Sequence, residues 1–370
     1  MSTFSAISFQ IECKHEAHNN SSATTNNATL LITTFAYMIL VTGGTGFLGA
    51  YLLVDLVRQG KPVRAMKREQ SSTKYTEKIF DLKFGKEGKE MFAKINWVNG
   101  DIMDVYSVEE AMQGIEEVYH CATEVSLRDE DPDEIILTAE KGTANMVNIA
   151  LEQKVKKFCH VSSVSALGEN DLGKPITEEA FDEFDNPDSP YAIGKHLAEA
   201  QVWRAHAEGL NVSVVCPTII MGPWPGKKGS MSFFHYMKRS PKFYTTGTMG
   251  FVDVHDVVAI MERLMNENKM NERYLVNGEN ISYHSLFTDI NASMGIKGPS
   301  IKITKPILKV FRIINNIFGK FKMTGTMIDH SSGQFIYSNK KVCEALNYKF
   351  IPVKQSIAEM GNFMINGTTK

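Results

Sequence analysis

The sequence predicts an α/β fold: a doubly wound parallel sheet with helices on both faces, followed by a smaller C-terminal cap. Three observations predict it. From residue 38 onward, short β-branched runs alternate with helix-spaced runs, the pattern of parallel strands joined by crossover helices. Four glycines crowd positions 43–49, between an apolar run and a leucine-spaced run. Beyond residue 217 the alternation breaks at "PTIIMGPWPGKKG", where proline and glycine cluster.

The elements follow in order. "YMILVTG" reads as the first strand, and Leu48, Leu52 and Leu56 then recur every fourth residue, as one helix face requires. Gly60 is a suitable stop for that helix. Strands two to six are "PVRAMKR" (62–68), "INWVNGD" (95–101), "EEVYHCAT" (116–123), "KKFCHVSS" (156–163) and "NVSVVCPT" (211–218). Between them, "VEEAMQGI" and "KGTANMVNIALEQ" read as helices, and another helix begins near Ser189. After 217, helices mix with short strands. "ITKPILKVFRIINNIFGKFK" (303–322) is both basic and apolar. It suits a membrane-surface helix, but its stripe at 307, 310, 311, 314, 317, 318 and 321 points instead to a cap helix with one buried face.

The whole chain narrows the function classes. It has 370 residues, 43% of them hydrophobic, enough for one large domain or two smaller ones. Forty basic and 42 acidic residues leave a net charge of -2, which argues against broad attraction to nucleic acid or acidic lipid. The five cysteines (13, 121, 159, 216 and 343) are odd in number and form no C-x-x-C pair. That argues against a disulfide framework or a zinc site and suits a reducing cytoplasm. The ten histidines show no H-x-x-x-H spacing, so no metal site is expected.

The N-terminal end differs from the rest. "HNNSSATTNNAT" (18–29) is polar and lacks apolar period, the composition of a disordered segment. The apolar run Leu30–Val41 has no basic segment just before it and is too short to span a bilayer. Residues 1–37 are therefore expected to be a disordered extension, with Met38 as the working start.

Glycines that follow a strand and open a helix have a specific use. Thr42, Gly43, Gly46 and Gly49 form T-G-x-x-G-x-x-G. Gly43 permits a sharp turn, Gly46 lets a diphosphate lie against the main chain, and Gly49 allows tight helix–strand packing. Unpaired amides at the helix start then bind phosphate, flanked by Thr45, Phe47 and Leu48. A dinucleotide is the expected ligand. An NAD site usually carries an acid at the end of strand two, whereas this strand ends in Lys67 and Arg68. A guanidinium there suits a 2′-phosphate, so NADP(H) is favoured, with NAD(H) as the alternative. Asp101 and Ile102, just past strand three, are expected at the adenine amino group and face.

The chemistry is expected at "SPYAIGK" and "VSSVSALG". Ser189 suits an N-cap and Pro190 the first helical position. Tyr191 and Lys195 then lie one turn apart on one face. A nearby ammonium favours phenolate, which would bring the tyrosine proton within reach of carbonyl or alcohol chemistry. Ser163 stands at the strand end, where it can hydrogen-bond the same substrate oxygen.

T-G-x-x-G-x-x-G, a strand-end Ser-Ser and Y-x-x-x-K, in this order, resemble an extended short-chain dehydrogenase/reductase over about residues 38–355. "NGDIMD", "YHCAT", "KGTANMV", "PTIIMGP", "GFVDVHDVV" and "YLVNGEN" extend the likeness. "YHCATEVSLRDEDPDEII" is similar to the dihydroflavonol-4-reductase and 3β-hydroxysteroid dehydrogenase branch. The resemblance implies a Rossmann-type NAD(P)-binding domain at 38–217. It implies that 218–370 is mainly a substrate-binding cap, with some segments returning to the sheet. It also implies Tyr191 as acid/base, Lys195 at the nicotinamide ribose, Ser163 on the carbonyl, Ala122 and Thr123 along the diphosphate and nicotinamide, and Pro217 beside the nicotinamide. A homodimer paired through the helix after Tyr191 is common in such proteins. Two positions depart from the family: Ala139 stands where asparagine is frequent, and Cys216 where arginine precedes the proline.

Three functions compete at this point. The first is an NADP(H)-dependent carbonyl reductase or alcohol dehydrogenase acting on a small-to-medium, partly apolar substrate. The aromatic run "MSFFHYMKRSPKFY" (231–244) would line its pocket or form plain cap core. The second is an NAD-dependent nucleotide-sugar epimerase or dehydratase, weakened by Cys216. The third, a non-catalytic dinucleotide-binding redox sensor, does not need the tyrosine and lysine.

Overall fold

The computed structural model describes residues 37–122, 132–168, 174–180, 189–239, 242–310, 328 and 331–367. The expectations for residues 1–36, for Thr123 and for positions 311–322 lie outside them. The first half runs β1 (Ile39–Thr42), α1 (Phe47–Arg58), β2 (Val63–Lys67), α2 (Lys74–Phe84), α3 (Gly88–Phe92), β3 (Asn96–Asn99), α4 (Val105–Met112), β4 (Glu117–His120), α5 (Pro132–Glu152), β5 (Lys157–Val161), α6 (Pro190–Ala207) and β6 (Val212–Pro217). Then come β7 (Ile219–Met221), α7 (Met231–Met237), β8 (Phe243–Thr245), β9 (Thr248–Asp253), α8 (Val254–Asn266), β10 (Glu272–Val276), β11 (Glu279–Ser282), α9 (Tyr283–Ser293) and β12 (Ile301–Ile303). Helices Lys340–Leu346 and Val353–Asn366 follow.

Seven strands form one sheet in the order β10-β6-β5-β4-β1-β2-β3, with every neighbouring pair parallel. This is the predicted doubly wound α/β sheet. All four residues of β1, all four of β4 and all six of β6 are buried. Central strands of a parallel sheet are covered on both faces, so they are buried throughout rather than alternating, even where they carry Thr42, Glu117, His120 and Ser213. Helix α1 packs against α8, and α5 packs against α4 and α6. The chain goes from β1 outward to β2 and β3, then returns to β4 on the other side of β1. Winding therefore reverses between β1 and β4, and the crevice at the strand ends there is the ligand position of such folds.

Several local details depart from the sequence expectation. Helices α2 and α3 fill a stretch that hydrophobic period does not assign. Helix α5 starts at Pro132 rather than near Lys141. In keeping with the expectation that some C-terminal segments return to the sheet, β10 joins it as the edge strand beside β6, and Val276 pairs with Pro217. The rest of the C-terminal half forms a three-stranded sheet, β11-β9-β7, and a two-stranded one, β12-β8.

The aromatic run at 231–244 is largely packing. Phe234 is fully buried, while Phe233 lies 6.4 Å from Phe251 and 6.2 Å from Phe287, ring to ring. Tyr236 and Phe243 are exposed. In the basic apolar stretch the expected buried stripe fails at both positions described. Ile307 and Val310 are more than half exposed, at 53% and 58%, and Leu308 is the buried residue. Among the described residues no helix is long and apolar enough to cross a membrane.

Candidate active site

The glycine loop is shaped by contacts that leave no room for side chains. Gly43 has φ +71°, and a Cβ there would stand 2.7 Å from Ala122 N and from the Cys121 carbonyl, so the loop lies against the end of β4. A Cβ on Gly49 would strike the Gly43 carbonyl, 2.8 Å from its carbon and closer to its oxygen. The Gly46 amide donates to Gly43 O at 2.9 Å, and Gly46 caps α1 with no side-chain hydrogen bond. The first turn of α1 carries no acid. Its amides and helix dipole are thus presented to an anion.

Other side chains frame this loop. Thr42 Oγ1 lies 2.8 Å from His120 Nδ1 and accepts from Ala122 N at 3.1 Å, tying β1 to the end of β4. Burial holds His120 down at about 3, so it is a neutral ring. Thr45 is half-buried and Leu48 buried in the core. Phe47 turns toward Trp224, 5.6 Å ring to ring, and meets Tyr51 edge-on at 5.5 Å.

The neighbouring strand ends carry the residues expected at the adenosine. Arg68 is exposed one residue past β2. Asp101 Oδ1 accepts from Met103 N at 3.0 Å, so part of that carboxylate holds its own turn. Ile102 lies against the bare face of Gly142 on α5, where a Cβ would stand 2.7 Å from Ile102 Cγ1. Asn145 Nδ2 donates to Ile102 O at 2.9 Å. Pro217 is buried at the end of β6.

Helix α6 starts as its sequence directs, with Ser189 accepting from Ala192 N at 3.4 Å and Pro190 in the first turn. Its face carries Tyr191 and Lys195 to the end of β5. Ser163 neighbours Tyr191, and its hydroxyl acts to lower the phenol. Ser163 is extended and accepts from Ser165 N at 3.1 Å, opening a 3-10 turn over Val164–Ala166. Lys195 is buried, and its Nζ donates to Val161 O at 2.7 Å. The structure thus groups Ser163, Tyr191 and Lys195 and sets Gly43 against Ala122.

One electrostatic expectation is corrected here. Burial, not the lysine, dominates Tyr191: its phenol sits above the ordinary value, and the Ser163 hydroxyl only partly offsets this. Lys195 is itself pushed down to about 8, chiefly by burial, with the Glu199 carboxylate among the groups that oppose the shift. Helical spacing shows that the two groups are neighbours, but it does not report how dry their surroundings are.

The sequence reading named Ile102, Ala122 and Lys195 in one pocket but missed the rest of its lining and a buried ionic cluster. The pocket is small and is lined by Ile102, Ala122, Thr138, Ala139, Thr143, His160, Lys195 and Ala198. The small side chain of Ala139 forms part of its wall. The cluster centres on Glu199, one further turn along α6, which is bonded to Ser162, Trp203 and Arg273. The i, i+4 continuation from Lys195 was the only sequence signal for Glu199, and Arg273 had none.

A Cβ-free cradle, a helix start with bare amides and the wall of Ala122, Ile102 and Lys195 fit a pyridine dinucleotide laid across the switch point. Fold and site together define a nucleotide-dependent oxidoreductase fold of the extended short-chain type. The family description "NAD dependent epimerase/dehydratase family" matches residues 39–277, and the chain belongs to that family. It is accordingly an NAD(P)-dependent enzyme, in keeping with its reductase and epimerase relatives.

The chain is similar to sterol demethylase protein B of Methylococcus capsulatus, 29% identical over 282 residues, covering 75% of this chain and 80% of that protein. A provisionally named dihydroflavonol 4-reductase of Synechocystis sp. is 25% identical over 340 residues, 88% of this chain and 94% of that one. Among solved structures, the enzyme WbmG of Bordetella bronchiseptica, in complex with NAD and UDP, has a TM-score of 0.69. It is 18% identical, covering 90% of this chain and 96% of that one, a likeness of fold.

Proposed function

We propose that the protein is an NADPH-dependent carbonyl reductase, or in reverse an alcohol dehydrogenase, acting on a small-to-medium, partly apolar substrate. The observation that carries this reading is the grouping of Tyr191, Ser163 and Lys195 at the end of β5, where Lys195 Nζ donates to Val161 O. When bound, the nicotinamide supplies or accepts a hydride at the substrate carbon. Tyr191 gives the carbonyl oxygen its proton, and Ser163 donates a hydrogen bond to the same oxygen. Lys195 holds the nicotinamide ribose and places positive charge near the phenol, which favours phenolate when the proton leaves.

Gly43, Thr45, Gly46, Phe47, Leu48 and Gly49 would form the diphosphate cradle. Ala122 and Thr123 would continue it, Asp101 and Ile102 would meet the adenine, and Pro217 would flank the nicotinamide. Arg68 supports NADP(H) over NAD(H), because a guanidinium at the end of β2 can pair with a 2′-phosphate through two hydrogen bonds. The named relatives support both the reduction and the apolar character, since one bears a dihydroflavonol reductase name and another a sterol name. In this reading 38–217 holds the dinucleotide, 218–370 mainly covers the substrate, and residues 1–37 are dispensable. A homodimer in the cytoplasm completes it.

The test begins with NADPH and NADH fluorescence titration of the purified protein. A carbonyl panel follows, containing dihydroquercetin, trans-cinnamaldehyde and a 3-oxo steroid. Tyr191→Phe is expected to lower turnover at least about 100-fold while leaving NADPH binding intact. Near-normal turnover in that variant, or tightly retained NAD with no reductase activity, would overturn the reading.

A further inference from the structure

Three consecutive residues at the exit of β5 are held by three successive turns of α6. Lys195 Nζ takes the carbonyl of Val161 at 2.7 Å. Glu199 Oε2 accepts from Ser162 Oγ at 2.7 Å. Tyr191 neighbours Ser163. Two of these contacts belong to the site already described, but the middle one does not. Glu199 is buried, at 2% exposure, where a carboxylate is sustained only by pairing and hydrogen bonds.

Its partners meet that need. Arg273, on edge strand β10, pairs with Oε1 through Nε and Nη2, and Trp203 Nε1 donates to the same oxygen at 2.9 Å. Arg273 also donates through Nη1 to Glu178 O at 2.9 Å, so the carboxylate is anchored from outside its own helix. With Oε1 taken up by Arg273 and Trp203, Oε2 holds Ser162 and also accepts from Cys216 Sγ at 3.9 Å. Ser162 is thereby turned into this cluster, and Ser163 is the member of the pair that meets Tyr191.

We propose that Glu199 is a positioning residue. It holds Ser162, sets the rotation of the β5 exit, and so fixes Ser163 against Tyr191. The inference rests on the Ser163–Tyr191 reading above, and the experiment separates the two. Ser162→Ala removes the bond without stranding Arg273, and Glu199→Gln removes the charge at nearly constant shape.

Crystal structures of the wild type and of Ser162→Ala are expected to differ in the separation of the Ser163 and Tyr191 hydroxyls, which is larger in the variant. Kinetics use the best carbonyl substrate of the panel. Each single variant is expected to lower kcat about tenfold, with KM and NADPH affinity changed less than about twofold. The double variant is expected to lose no more than the worse single variant, because both act through one bond. In Glu199→Gln the alkaline limb of the rate profile is expected to move to lower pH, since a carboxylate beside Lys195 is gone.

An unchanged separation of the Ser163 and Tyr191 hydroxyls in Ser162→Ala, wild-type kcat in either single variant, or losses that multiply in the double variant would overturn the proposal. If Tyr191→Phe is inactive while these variants are normal, this inference fails and the reductase reading stands. If Tyr191→Phe is active, the reading itself fails. Should Glu199→Gln not fold, the Ser162→Ala structure and rates decide.

Discussion

Gly49 sits against the carbonyl of Gly43 so closely that a single methyl group on Gly49 would stand 2.8 Å from the carbonyl carbon. Both partners are close to rigid, since one is loop backbone and the other is in the first turns of α1. Gly49→Ala is therefore expected to lower stability by about 1–3 kcal/mol, the usual cost of overpacking. It should also raise the NADPH dissociation constant at least about tenfold by pushing α1 off the loop. Urea unfolding and fluorescence titration check the two effects separately, and wild-type values in both would contradict the packing described.

Arg68 lies one residue beyond β2 on the exposed edge of the crevice. Arg68→Ala is expected to weaken NADPH binding about tenfold or more, the worth of a charge-assisted pair, and to leave NADH binding within about twofold. Equal losses for both nucleotides would assign Arg68 a role in the loop's shape instead of in phosphate recognition.

Lys195 provides a pH prediction. Its folded value of about 8 lies below the ordinary 10.5. The unfolded chain therefore binds more protons between about pH 8 and 10.5, and the lysine's contribution to stability rises with pH across that window. Cofactor binding should move the opposite way, because the ammonium that would hold the ribose is lost above about pH 8. NADPH affinity is expected to fall there in the wild type and to stay level in Lys195→Arg, whose guanidinium remains charged. Titrations at pH 7, 8 and 9 suffice.

Asp256, on α8, makes the converse case. It accepts from Tyr348 Oη at 2.8 Å and from Ile351 N at 3.0 Å, and burial pushes it up to about 6 from 3.8. The folded state keeps a proton that the unfolded chain releases. The resulting stabilisation is present in full below about pH 4 and is lost as pH rises through 6. Asp256→Asn cannot ionise, so its melting temperature is expected to gain on the wild type between pH 4 and 7. A constant difference across that range would show that the carboxyl is ionised throughout.

Local features were legible where neighbouring residues carry the physics. The strand-loop-helix around Gly43 and Gly49 could be read because a positive φ and a bare Cα are properties of single residues in a short segment. Ser189 and Pro190 announced the start of α6 by capping chemistry alone, and from that start the spacing of Tyr191 and Lys195 followed. The central strands were readable as short β-branched runs alternating with helix-spaced ones, although that pattern did not announce the burial of Glu117, His120 and His160.

What the linear order could not decide depends on neighbours distant in the chain. Arg273 reaches Glu199 only because β10 aligns beside β6, a pairing made across more than 50 residues. Ser162 and Ser163 are identical in type and adjacent, and their different partners come from how α6 crosses the end of β5. The exposure of Ile307 and Val310 contradicts a stripe that helical period alone would bury. Tyr191 likewise sits above its ordinary range because burial outweighs its bonds. Residue type and short-range spacing settle backbone conformation, whereas burial and electrostatics are set by whichever groups the completed fold brings together.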